Sequence, residues 1–200
     1  MQMLRKILFI IGLLLLTFVH IAFVQAQLCV NRMTLAGFED PAQIRLMGIA
    51  TKNPLDEGQD IKMSIVDEDV FEKEKGKTLK LDYNVDSWEQ AKVEFWIDLE
   101  QKDLSAFDTL HLYMRGDPEK GCTKNVMLQF MDGDNRIAPY IVTAIQSHWS
   151  EFIIPFKRFS RIRDWSHMKE FRIVFDDINS NPKEGTLYID EISVSSKDKI

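Results

Sequence analysis

Apolar and polar residues alternate with a period of two along most of this chain, and that period commits it to half-buried β-strands. In residues 92–99, Lys-Val-Glu-Phe-Trp-Ile-Asp-Leu, one face carries Val93, Phe95, Ile97 and Leu99, the other Glu94, Trp96 and Asp98. Residues 109–115 set Leu110, Leu112 and Met114 against His111, Tyr113 and Arg115. Residues 125–131 set Val126, Leu128 and Phe130 against Met127, Gln129 and Met131. Further extended segments are expected at 61–66, 78–85, 137–145, 151–154, 171–175 and 186–194. Turn residues separate them at 116–118, 132–135 and 179–182. Helical pattern is confined to short turns at 157–163 and 165–169. Eight or more strands without an amphipathic helix predict an all-β fold, an antiparallel β-sandwich.

The chain opens differently. Arg5 and Lys6 precede the apolar stretch 7–24, and Val24-Gln25-Ala26 is a small-residue cleavage pattern. A signal peptide at 1–26 is expected, cut after Ala26; the rival is an uncleaved anchor, because the stretch approaches spanning length. Export implies a secreted, periplasmic or extracellular protein. The mature 174 residues suit one core, with an N-terminal segment at 27–34 and a single β-sandwich domain at 35–200. Losing the leader's two cations takes the net charge from −6 to near −8, and no basic run remains. Nucleic acid is therefore excluded as a partner, and a monomer is expected. Two cysteines, Cys29 and Cys122, stand in a chain bound for an oxidising space. A disulfide would tie the N-terminal segment to the Gly121-Cys122 loop; the alternative is two unpaired thiols. Without a CxxC or a Cys/His cluster there is no zinc motif.

The second face of the strands is the informative one. It carries Trp96, Asp98, His111, Tyr113, Arg115, Gln129 and, from 171–175, Arg172. Aromatic planes stack on the apolar C–H faces of sugar rings while polar neighbours bond the hydroxyls, so this mixture suits a carbohydrate ligand. Trp96 and Tyr113 are the expected stacking residues; His111, Arg115, Asp98, Gln129 and Arg172 are the expected hydrogen-bonding ones. The competing account makes the aromatics a secondary core beneath a crossing segment.

Four motifs carry a resemblance. Gly37-Phe38-Glu39-Asp40 opens the domain, residues 103–110 (Asp-Leu-Ser-Ala-Phe-Asp-Thr-Leu) lead into a strand, residues 148–156 run His-Trp-Ser-Glu-Phe-Ile-Ile-Pro-Phe, and residues 185–192 run Gly-Thr-Leu-Tyr-Ile-Asp-Glu-Ile. In this order the chain resembles the galactose-binding-like jelly roll, in particular family 11 carbohydrate-binding modules and the domain of the complex I intermediate-associated protein of 30 kDa. The resemblance covers roughly residues 35–194 and says more about fold than about ligand. It implies a concave face that takes a polysaccharide or oligosaccharide of β-glucan type. It also implies a structural Ca2+, with Glu39 and Asp190 at the acidic positions and Asp40 beside them. Residues 49–69 are acidic and match nothing in it. The second family implies a different role, a protein-interaction or assembly module with a protein partner.

Enzyme motifs are absent. No HExxH, GxSxG, GxGxxG or Walker loop occurs. Asp132-Gly133-Asp134-Asn135 lacks the closing acid of an EF-hand and reads as a hairpin turn. Asp98 and Glu94 share the Trp96 face and would be the pair in a small glycan-active enzyme. The expectation is a binder, not an enzyme.

Overall fold

The computed structural model of the chain describes residues 31–52, 58–68, 76–87 and 90–196. Within them the alternation becomes eleven strands: β1 (Arg32–Gly37), β2 (Met47–Thr51), β3 (Asp60–Glu68), β4 (Gly76–Asn84), β5 (Lys92–Lys102), β6 (Thr109–Gly116), β7 (Val126–Asp132), β8 (Ile137–Val142), β9 (Ser150–Pro155), β10 (Met168–Asp176) and β11 (Glu184–Ser195). A single helical turn, α1 (Pro41–Ile44), follows β1, and a 3-10 turn spans Phe156–Arg158. Asp40 starts α1 by accepting the Ala42 N–H, with Pro41 in the first turn, where its missing N–H is no loss.

The strands form two antiparallel sheets. One runs β3–β4–β11–β6–β9, with β1 also paired to β11; the other runs β2–β5–β10–β7–β8. Their inner faces meet in the core. Val93, Phe95, Ile97 and Leu99 of β5 are buried, as are Leu110, Leu112 and Met114 of β6 and Phe171, Ile173 and Phe175 of β10. Side chains that alternate inward on both sheets are what a sandwich requires. One end is aromatic: Phe130 packs edge-on against Phe159 and Trp165, and Trp165 stacks on Phe156 at 4.0 Å. Removing such a ring costs about 3–5 kcal/mol.

Every strand expected from alternation is present, with small shifts. The strand expected at 137–145 stops at Val142, because Ala144 turns into the left-handed region at φ 65. The turn expected at 165–169 is instead the run into β10. The turn at 132–135 joins β7 to β8, held by the Asp134 and Arg136 N–H groups donating to Asp132 Oδ1. β1 and β2 were not foreseen. β1 begins at Arg32, inside the segment expected to precede the domain, and it is held by pairing Arg32–Thr34 with Ser193–Ser195. The compact unit accordingly covers Arg32–Ser196.

Candidate functional site

Two outer faces are available, one on each sheet, and they point away from each other. The residues expected to line one site are divided between them. Trp96 and Asp98 (β5), Gln129 (β7) and Arg172 (β10) lie on the five-stranded sheet; His111, Tyr113 and Arg115 (β6) lie on the six-stranded sheet. Parity along a strand separates core from outer face, but it carries no information about which sheet the strand joins. The expectation of one shared surface is corrected accordingly.

On the five-stranded sheet the register builds a row across all five strands. Gly48 pairs with Trp96, Trp96 with Arg172, Arg172 with Gln129, and Gln129 with Pro139. Flanking rows hold Ala50, Glu94, Val174, Met127 and Ile141 on one side and Asp98, Glu170, Met131 and Ile137 on the other. Trp96 is half-buried. Arg172 is fixed by Glu170 at 2.6 Å and Glu94 at 3.5 Å, and Glu94 also meets Lys92 at 2.8 Å. Asp98 is exposed and accepts the Glu100 N–H at 2.8 Å. Gln129 donates from Nε2 to Met127 Sδ at 3.0 Å, while its buried Oε1 has no hydrogen-bond partner among the described residues. An unpaired buried acceptor costs about 1–3 kcal/mol. Sequence reading missed Gly48, because it falls where no alternation marks a strand.

On the six-stranded sheet the expected site residues bond to their neighbours. His111 bonds Glu151 through Nδ1 at 2.9 Å and Ser195 through Nε2 at 2.8 Å. Tyr113 is 8% exposed, and its hydroxyl donates to Glu151 at 2.9 Å. Arg32 lies 5.7 Å from the Tyr113 ring, donates to Ser193 and pairs with Glu191 at 3.2 Å. Arg115 sits 4.0 Å over Tyr188 and 5.3 Å from Trp149. The Tyr188 hydroxyl donates to Asp117 at 3.1 Å. Burial alone would raise the Asp117 carboxyl; the N–H groups of Lys120 and Glu119 and the Tyr188 hydroxyl outweigh it and hold the group below the usual carboxylate range. Asp82 is likewise held low against its burial, by Thr186 and Lys80.

The three acids expected around calcium are separated in role. Glu39 Oε1 accepts the Lys77 N–H at 2.8 Å, at the start of β4. Asp190 follows Ile189, which pairs with Leu79, so it stands level with Thr78, whose buried Oγ1 has no hydrogen-bond partner among the described residues. Asp40 caps α1 through Oδ1, which accepts the Ala42 N–H. Among the described residues no three His, Cys, Asp or Glu side chains gather. Two carboxylates and an orphaned hydroxyl at one strand end fit a hard cation that takes its remaining ligands from backbone oxygen.

Cys29 and the leader lie outside the described residues. Cys122 is half-buried, and burial pushes its thiol up to about 12. It lies against Gly185, at the opposite end of β11 from Ser195, the partner of Arg32.

No protein-family model matches the sequence, and no curated protein matches it. Solved structures do. The family 11 carbohydrate-binding module of the cellulosomal cellulase Lic26A-Cel5E of Clostridium thermocellum is 15% identical, with a TM-score of 0.60 over 84% of this chain and 96% of that one. The fold is a two-sheet jelly roll like that module's. A family 11 module from Clostridium thermocellum in complex with a β-1,3-1,4-mixed-linked tetrasaccharide is 16% identical, with a TM-score of 0.61 over 84% of this chain and 97% of that one. A third jelly roll, CtCBM11 in solution, reaches a TM-score of 0.64 at 15% identity, covering 85% and 98% of the two chains.

Proposed function

We propose that this protein is an exported, monomeric, non-catalytic module that binds a β-glucan-like polysaccharide or oligosaccharide on the outer face of its five-stranded sheet. The row through Trp96, Arg172 and Gln129 carries the reading. An aromatic surface, a fixed cation and an amide lie side by side, which is what a chain of stackable, hydroxyl-bearing rings needs. With strands about 4.8 Å apart the row is about 19 Å long, room for several sugar units. The mixed-linkage tetrasaccharide bound by one neighbour of the same fold names the first ligand to try. Glu94 is tied to Lys92 and Arg172, an arrangement suited to positioning a cation rather than to acid–base work.

Calorimetric titration with barley mixed-linkage β-glucan tests the proposal. Saturable binding by the wild type, lost in Trp96→Ala at an unchanged melting temperature, is the expected outcome; a folded protein that binds no glycan moves the reading to a protein partner. Calcium is a separate part of the proposal, held by Glu39, Asp190 and the Thr78 hydroxyl. A melting temperature that rises with added calcium in the wild type and not in Asp190→Ala supports it, and no rise removes it.

A further inference from the structure

We infer that Gly48 is a positioning residue: its missing side chain is what lets Trp96 lie flat as a platform at the edge of the five-stranded sheet. The inference rests on the glycan-binding reading of that face. Gly48 and Trp96 are directly opposite in the β2–β5 pair. Opposed residues of an antiparallel pair normally stand side by side. A Cβ at Gly48 would lie 2.3 Å from Trp96 Cζ2, 2.6 Å from Cε2 and 3.0 Å from Nε1, so the indole fills the space a side chain would take. The backbone does not call for glycine here, since Gly121 is the one positive-φ glycine among the described residues. Glycine weakens a strand, and in a strand interior it marks a close approach. The close approach is the indole itself. β2 is the edge strand of its sheet, so the ring extends from β5 to the rim, while Arg172 and Gln129 continue the row on its other side.

Any side chain at position 48 therefore tips the ring and spoils the stacking surface without touching the ligand. The test is Gly48→Ala in protein labelled with 5-fluorotryptophan, titrated with barley mixed-linkage β-glucan. The expected result is a tenfold or greater loss of affinity, with the Trp96 fluorine resonance (assigned by Trp96→Phe) displaced and the other tryptophan resonances in place. Because a Cβ could also unseat β2, a second pair of variants keeps the inference falsifiable. Tyrosine is smaller than the indole, so Trp96→Tyr and the double variant Gly48→Ala with Trp96→Tyr should bind alike. A Gly48→Ala protein that binds as the wild type does, an unmoved Trp96 resonance, or a tenfold gap between the two tyrosine variants overturns the inference and leaves the glycan reading standing. A wild type that does not bind glycan removes both.

Discussion

On the six-stranded sheet, Arg115 lies 4.0 Å over Tyr188, and Glu151 accepts from both His111 and Tyr113. On the five-stranded sheet, Trp96 faces a glycine, and Gln129 Oε1 meets no donor among the described residues. Both outer faces hold aromatics beside charged and amide groups, so residue type alone does not tell them apart. Partnership does. A face whose aromatics are engaged by neighbouring cations and hydroxyls gives up little by staying as it is, whereas a half-buried indole lying over a glycine offers a stacking surface to a ligand.

The contrast can be broken by truncating each face in turn. The largest effect is expected from Trp96→Ala, with about a 30-fold or greater loss of glycan affinity, the size of a buried aromatic anchor, and a melting temperature close to wild type. Arg115→Ala should do the reverse. It removes the cation between two rings and lowers stability by about 1–2 kcal/mol in urea titration, with glycan affinity unchanged. A loss of binding in Arg115→Ala would move the site to the other sheet.

Gln129→Met sharpens the comparison further. The substitution removes an unsatisfied acceptor at nearly constant volume, so stability should hold or rise by up to about 1 kcal/mol while affinity falls about fivefold, a loss of about 1 kcal/mol. A clear loss of stability would show that Oε1 has a structural partner.

The smallest effect is in acid. Asp117 and Asp82 have carboxyls held below their unfolded values, so the unfolded chain binds more protons as pH falls. Their contribution is present above about pH 4 and is lost as pH drops through the folded values. Stability in urea should decline below that point, and Asp117→Asn should flatten the decline. An equal slope in the variant would remove Asp117 from the account.

The strands β3 to β11 were legible because each buries one face, and period two is the trace of that burial. β2, Met-Gly-Ile-Ala-Thr, lacks a polar partner set and left no such trace. The site was half legible. Trp96, Asp98, Gln129 and Arg172 could be read as outer-face residues, and they do share a sheet. His111, Tyr113 and Arg115 gave the same signal from the opposite sheet, since a tertiary choice of partner strand is not written in alternation. Nor is the unpaired Oε1 of Gln129 among the described residues, which depends on side chains brought together from β5, β7 and β10. Asp40 caps α1, a role that the following Pro41 foreshadows.

The most direct test of which face is the site is a 15N NMR titration of the protein with the mixed-linkage tetrasaccharide. The account predicts shift changes confined to β2, β5, β10 and β7, including the Trp96 indole and the Gln129 side-chain amide. Changes centred on His111, Tyr113 and Arg115, or no changes at saturating ligand, would contradict it.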